Sequence, residues 1–396
     1  MIAPDEQRIG TVQALLEERK IDALVCRLPE NVLLLTGYWP VQGLSYVVFP
    51  REGEPAMVLP AMEGEQAANT SWVTERHEVP FSHVAKPPSP VTYLGSLCEV
   101  IQKRGLRKAT LGYEGSIEPS APPSWAGEPM IPSEAYFRAL RDICRNATLV
   151  DATSAIYELR GVKTAREIEK LRVANEIASR GLEAFKKASQ PGRSEADVTA
   201  DVEYAVMRQA GYKGTSYARA FAQVLAGVDT SDGMGRLRQS SPRVIIREGD
   251  LVMIELAVVV DGYWSDTTRT IVAGKASHRQ RELYELVREA QARGIAAAKE
   301  GATGDEADRP AREVIERAGY GDYFPHHTGH GIGFRYHEPI PAVLPGSSQV
   351  LKRGMVHSVE PAVYIPGFGG VRIEDDVLVT PTGGEPLSHT SFGFEG

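Results

Sequence analysis

Four stretches in the second half of the sequence carry acids and imidazoles where simple folding would not place them. Glu255 interrupts Leu251 to Val260, a run that otherwise reads as a buried strand. An unpaired buried carboxylate costs several kcal/mol, so Glu255 needs a partner. Asp261-Gly262 has the composition of a two-residue hairpin turn, which would fold the strand back and bring Asp266 beside Glu255. Adjacent carboxylates repel unless a cation or a proton lies between them. Further on, Gly329 and Gly331 flank His330, leaving its ring uncrowded and allowing tight turns. Glu360 and Glu374 again sit in apolar, β-like runs, and their spacing suits two antiparallel strands joined by the turn from Pro366 to Gly370.

Four carboxylates and one neutral imidazole make an oxygen-rich site of net charge about -4, which favours two divalent ions such as Mn²⁺ or Co²⁺, with Zn²⁺ or Fe²⁺ as alternatives. Structural zinc prefers thiolates and closed tetrahedra, which this set lacks. Two cations sharing carboxylates polarise a carbonyl and activate water, so the chemistry expected is metal-dependent hydrolysis. A blander reading makes Glu255 a structural acid paired with Arg269 or Arg372. His77, His83, His278 and His389 read as ordinary surface or core histidines. His357 lies near Glu360 in sequence but faces no side clearly, and Glu195, Asp197 and Asp201 read as a solvated helix face.

The elements that must position these groups follow from periodicity. Ala165 to Ala188 carries an apolar stripe (Ile168, Leu171, Ala174, Ala178, Leu182, Phe185) and stops at Pro191-Gly192, which predicts a long helix. Helices are also expected over Arg8–Lys20, Leu94–Arg104, Ser194–Gln209, Arg279–Lys299 and Asp308–Ala318. Strands are expected at Ala23–Cys26, Val32–Thr36 and Ala109–Gly112, with a hairpin of Tyr46–Phe49 and Ala56–Leu59. Pro119 to Pro132 is loop-like. The pattern predicts an N-terminal α/β domain over 1–155 and an α+β catalytic domain over 156–396.

Composition narrows the function class. The net charge is -8, and the one short basic cluster, Lys103 to Lys108, reads as a solvated helix end, so no nucleic-acid partner is expected. No apolar stretch is long enough for a membrane span. Cys26, Cys98 and Cys144 are odd in number and form no CxxC pair, which fits a reducing compartment. The polar, acidic N-terminus is unlike a signal peptide, and a cytoplasmic protein is expected.

Taken together and in order, the four segments resemble the signatures of the pita-bread metallopeptidases, the family of Xaa-Pro dipeptidase (prolidase), Xaa-Pro aminopeptidase, methionine aminopeptidase and metal-free creatinase. The resemblance spans roughly 155–385, and the first third is similar in size to the creatinase-type N-terminal domain that methionine aminopeptidases lack. It implies that Asp266 and Glu374 bridge two ions, that His330 and Glu360 complete one and that Glu255 completes the other. It further implies that Glu360 is the general base, that His326 and His337 act in catalysis and bind substrate by lining its pocket, that Arg372 binds substrate and holds carboxylates by bidentate hydrogen bonds, that Tyr263 packs, and that the protein forms a homodimer. The implied reaction is cleavage of Xaa-Pro bonds in dipeptides or short peptides.

Two departures stand out. Glu255 replaces the family's Asp, which predicts one tight and one loose metal position. No histidine occurs between Tyr212 and Asp250, where the family usually has one and this chain reads Ala226 to Gly235. Two rivals therefore remain: a relative acting on a small non-peptide compound (creatinase-, ectoine hydrolase- or sulfonium lyase-like), and a metal- or peptide-binding protein without turnover.

Overall fold

The computed structural model describes residues 2–80, 93–115, 134–232, 239–388 and 393–395. The Pro-rich stretch 119–132, His83 and His389 lie outside these residues, as does the segment 233–235. The chain forms two compact units, Met1–Arg160 and Gly161–Gly396.

In the first unit, β1 (Ala23–Cys26), β2 (Tyr46–Pro50), β3 (Ala56–Pro60), β4 (Glu75–Val79), β5 (Thr110–Tyr113) and β6 (Thr148–Asp151) form one mixed sheet in the order β4-β3-β2-β1-β5-β6. The expected hairpin is β2 with β3, paired antiparallel, whereas β1 runs parallel to β5. Val25, Val48 and Val58 from the sheet cluster with Leu97 and Ile101 of helix Leu94–Lys103 and Leu140 of helix Glu134–Ile143. Fully burying each such aliphatic side chain contributes about 1.5–3 kcal/mol. Residues 32–36, expected as a strand, instead belong to a helix, Pro29–Thr36. Pro29 at its first turn and Gly37 in the left-handed region after it set its ends. Its residues from Asn31 to Thr36 are all buried, so no polar face was left to give a helical period.

The second unit begins with helix Ala165–Ala188, whose start is fixed by a capping box between Thr164 and Glu167. Its stripe packs on β7 (Ala218–Ala226) and β8 (Leu251–Val260), which with β9 (Tyr263–Val272) make a three-stranded antiparallel sheet. Further capping boxes start the helices Glu195–Met207, His278–Ala297 and Gly304–Arg317. The acids of the second helix are not simply solvated. Glu195 is fully buried and accepts the Ala226 and Ser241 backbone N–H groups, and Asp197 closes the cap, leaving Asp201 exposed with Arg193.

The remaining strands are β10 (Gly329–Gly331), β11 (Glu338–Val343), β12 (Val356–Val359), β13 (Ala362–Ile365), β14 (Gly369–Arg372), β15 (Asp375–Val379) and β16 (Gly384–Pro386). Five of them form the sheet β11-β10-β12-β15-β16, and β13 pairs with β14. One register joins the two pairings, since Val359 faces Asp375 and Ala362 faces Arg372. The hairpin is thus continuous but broken at 360–361 and 373–374. At that break the Glu360 N–H turns to Thr328 O at 2.8 Å and the Glu374 N–H to Thr268 O at 3.0 Å. No helix among the described residues is long and apolar enough to cross a membrane.

Candidate metal and active site

The β8–β9 hairpin delivers two of the acids. Asp261 and Gly262 both have positive φ, as a two-residue primed turn requires. The resulting register sets Glu255 opposite Thr268 and Ala257 opposite Asp266. Alternation then puts Glu255, Asp266 and Thr268 on one face of the sheet. The broken hairpin supplies Glu360 and Glu374, and β10 supplies His330. The glycines around His330 work differently from expectation. Neither Gly329 nor Gly331 has positive φ, so no turn needs them. A Cβ at Gly329 would lie 1.9 Å from Ser358 O and one at Gly331 2.1 Å from Ile340 O, so they allow neighbouring strands to close in.

All five expected ligands converge. One carboxylate oxygen each from Glu255, Asp266 and Glu374 lie within 4.8 Å of one another, and the Asp266, His330, His337 and the His327, His330, Glu360 donor sets are equally tight. His330 Nε2 is 3.4 Å from Asp266 Oδ2 and 3.4 Å from Glu360 Oε1. Its Nδ1 faces the Gly331 carbonyl at 3.0 Å, which can only accept, so the proton sits on Nδ1 and Nε2 presents a lone pair to the carboxylates. Apart from the Ser358 hydroxyl on Glu360 Oε1, nothing reconciles this lone pair with the two carboxylates, which therefore need a cation or an added proton. Asp266 Oδ1 and Glu374 Oε1 are moreover buried without a hydrogen-bond partner. The donor chemistry therefore fits a divalent ion.

The electrostatics agree. Burial, then Glu374, Glu360 and Asp376, pushes the Asp266 carboxyl well above its ordinary value, and burial, then Glu360, does the same to Glu374. Burial pushes Glu360 up to about 8. Burial also holds His326 down at about 4 and His330 well below its usual range. The protein without metal would keep protons where cations belong.

Glu255 is held by protein groups on every side. It forms an ion pair with Arg372 Nη2, accepts from Tyr336 OH, and lies 2.7 Å from Thr268 Oγ1. Arg372 is buried, and its other groups meet Thr268 Oγ1 at 2.9 Å and Tyr364 OH at 2.8 Å, with Glu374 3.9 Å away. Arg269 turns instead to Asp375, at 2.6 Å. His326 is buried, with Nδ1 on its neighbour's carbonyl at 2.8 Å and Nε2 3.3 Å from Tyr364 OH. That tautomer makes Nε2 an acceptor for the Tyr364 hydroxyl, while Nδ1 lies 3.9 Å from Glu360 Oε2. His337 Nε2 lies 3.8 Å from Asp266 Oδ2, and its ring stacks on Tyr336. His357 is buried with Nδ1 on Ser358 O, and Tyr263 packs against Phe334.

Several contributors escaped the sequence reading. Asp376 accepts from the Asp266 N–H at 3.2 Å and from Asn175 Nδ2 at 2.8 Å, fixing the strand that carries Asp266. Ser358 Oγ donates to Glu360 at 3.1 Å and accepts the His330 N–H. Thr268 was legible from hairpin register alone. His327 and Tyr336 adjoin flagged histidines and gave no spacing signal of their own.

Many known proteins resemble this chain in sequence or in fold. Residues 169–381 match metallopeptidase family M24, and residues 8–162 match the creatinase/prolidase N-terminal domain. The Xaa-Pro dipeptidase of Pyrococcus furiosus is 34% identical over 390 residues, covering 97% of this chain and 98% of its own. The crystal structure of the prolidase from Pyrococcus horikoshii superposes with a TM-score of 0.76 at 29% identity, covering 98% of this chain and 99% of that one. The Xaa-Pro dipeptidase from Bacillus anthracis gives 0.80 at 28% identity with the same coverage. The second unit thus has the pita-bread fold, and the chain belongs to metallopeptidase family M24, with a creatinase/prolidase-type domain at its N-terminus.

Proposed function

We propose that this chain hydrolyses Xaa-Pro bonds in dipeptides or short peptides, in the cytoplasm and as a homodimer, with its chemistry confined to residues 156–396 and residues 1–155 forming the separate N-terminal domain. The observation that carries the reading is the meeting of Asp266, His330, Glu360 and Glu374 with buried oxygens left without protein donors. Asp266 and Glu374 would be shared by two divalent ions, Mn²⁺ by preference, with His330 and Glu360 completing one position and Glu255 the other. The chemistry such ions would supply is polarisation of the scissile carbonyl and a water acidic enough to attack near neutral pH. Glu360, ionised once a cation has displaced its proton, takes the proton of the attacking water as general base. It then passes that proton to the leaving proline nitrogen, which has no hydrogen of its own. His326 and His337 line the pocket for the substrate's carbonyl oxygen and proline-side carboxylate. Arg372 reaches the substrate only indirectly, by fixing Glu255.

The grip of Arg372, Tyr336 and Thr268 on Glu255 supports one firm and one weak metal position. Metal content after dialysis tests this, and two equally retained ions would reject it. Hydrolysis of Ala-Pro, Met-Pro and a tripeptide, each with and without added Mn²⁺, tests the reaction. Manganese-dependent cleavage of the dipeptides is expected. Failure on every peptide despite bound metal would favour a relative acting on a small non-peptide compound, the reading that Glu255 and the missing upstream histidine support.

A further inference from the structure

His327 is the most exposed of the four imidazoles His326, His327, His330 and His337. Its side chain keeps 34% of its exposure, against 10% for His330, and its Nε2 lies 3.3 Å from Glu360 Oε1. The His327 and His330 rings stand nearly perpendicular, at 87°, with centroids 5.6 Å apart. Both Nε2 atoms therefore converge on the same carboxylate oxygen, all three donors falling within 4.8 Å of one another. Four ligands around a zinc-sized ion at about 2.1 Å have tetrahedral edges of about 3.4 Å. The two measured edges from Glu360, 3.3 and 3.4 Å, match that length. Glu255, by contrast, is occupied by Arg372, Tyr336 and Thr268. The cage is thus asymmetric, with a nitrogen-rich donor set on one hand and a carboxylate already engaged by protein donors on the other.

We infer that His327 is a direct ligand of the firmly held cation, forming with His330 and Glu360 a nitrogen-rich position. Imidazole donors favour Zn²⁺ and Co²⁺ over Mn²⁺, so the two-histidine position raises affinity for those ions selectively. The inference rests on the metal-ligand roles given above to His330 and Glu360, but not on the identity of the substrate.

The test uses the full chain stripped by chelator, with the dissociation constants of Zn²⁺, Co²⁺ and Mn²⁺ measured by competition and the visible spectrum of bound Co²⁺ recorded. In His327→Ala, Zn²⁺ and Co²⁺ binding should weaken about tenfold or more, Mn²⁺ binding should change less, and the Co²⁺ band should shift. His327→Glu, which restores a donor of similar reach, should recover affinity and tilt it toward Mn²⁺. Unchanged Zn²⁺ affinity and an unshifted Co²⁺ band in His327→Ala overturn the inference, as does a His327→Glu variant no better than His327→Ala. His330→Ala separates the two levels of the argument. If it too leaves binding intact, the site reading itself fails, whereas loss in His330→Ala alone defeats only the role of His327.

Discussion

Glu114 in the first unit and Glu374 in the second are both almost wholly removed from water, at 2% and 1% exposure. Glu114 accepts the backbone N–H groups of Arg27 and Leu28 and the Asn31 side-chain amide, at 2.8 to 3.1 Å, so both its oxygens are served. Glu374 has Thr268 at 2.8 Å on one oxygen and no hydrogen-bond partner on the other, and it shares its surroundings with Asp266 and Glu360. Burial raises both carboxyls, but only around Glu114 do several donors counter it. The first arrangement is how a fold accommodates a carboxylate as a structural part. The second leaves part of the solvation to something the chain does not contain.

The contrast can be broken most forcefully at the cage. Glu374→Gln and Asp266→Asn should each lower kcat/KM on the order of 10³-fold, the scale expected when charge stabilisation in a dry site is removed, and should weaken metal binding in parallel. The stripped variants should be no less stable than stripped wild type, because each amide replaces a carboxyl that is already held neutral there. A turnover loss with metal affinity unchanged would undo the bridging role. Glu360→Gln should cost about 10²-fold or more in kcat, since it removes a general base. A variant that loses only KM would assign Glu360 to binding instead.

Glu114→Gln sharpens the comparison from the other side. Whichever way its amide turns, the NH₂ would face the Arg27 N–H, which approaches both oxygens, at a cost of about 1–3 kcal/mol. Denaturant unfolding should record that loss, while metal affinity stays at the wild-type value. Altered metal binding would mean that the two carboxylates are not independent.

Where local rules decide, residues announced their own structure. Thr164 with Glu167 and the stripe from Leu171 to Phe185 define one helix from end to end, and Asp261-Gly262 fixes the register that pairs Asp266 with the Glu255 face. Legibility failed where burial removed the period, as in Pro29–Thr36, and where contacts are purely tertiary. Nothing local in the sequence could say that Arg372 would clasp Glu255 rather than Arg269 doing so, or that Asp376 would hold the Asp266 backbone. Glycine was recognised beside His330, but its purpose, contact with Ser358 and Ile340 carbonyls, belongs to strand packing.

The gentlest probe of the contrast is pH. Glu360 and Asp376 are both pushed up to about 8 by burial, from ordinary values of 4.5 and 3.8. A folded-state pKa above the unfolded one means that the native state binds the proton more tightly. The stabilisation is then complete below the unfolded value and is lost as pH rises through the folded one. His326 and His357, held at about 4 by burial, act in the opposite sense, their contribution being lost as pH falls from 6.5 toward 4. Above pH 6.5 the histidine contribution is constant, so between about 6.5 and 8 the carboxyls alone set the slope. Stripped protein should therefore lose about 3 kcal/mol across that window, a shift of a few degrees in Tm. Metal-loaded protein should show a flatter profile, because the cation replaces the proton among Asp266, Glu360 and Glu374. Asp376, whose proton the cation does not replace, accounts for the part of the slope that metal leaves untouched. Identical slopes with and without metal would mean that the protons and the cation do not compete for the same oxygens.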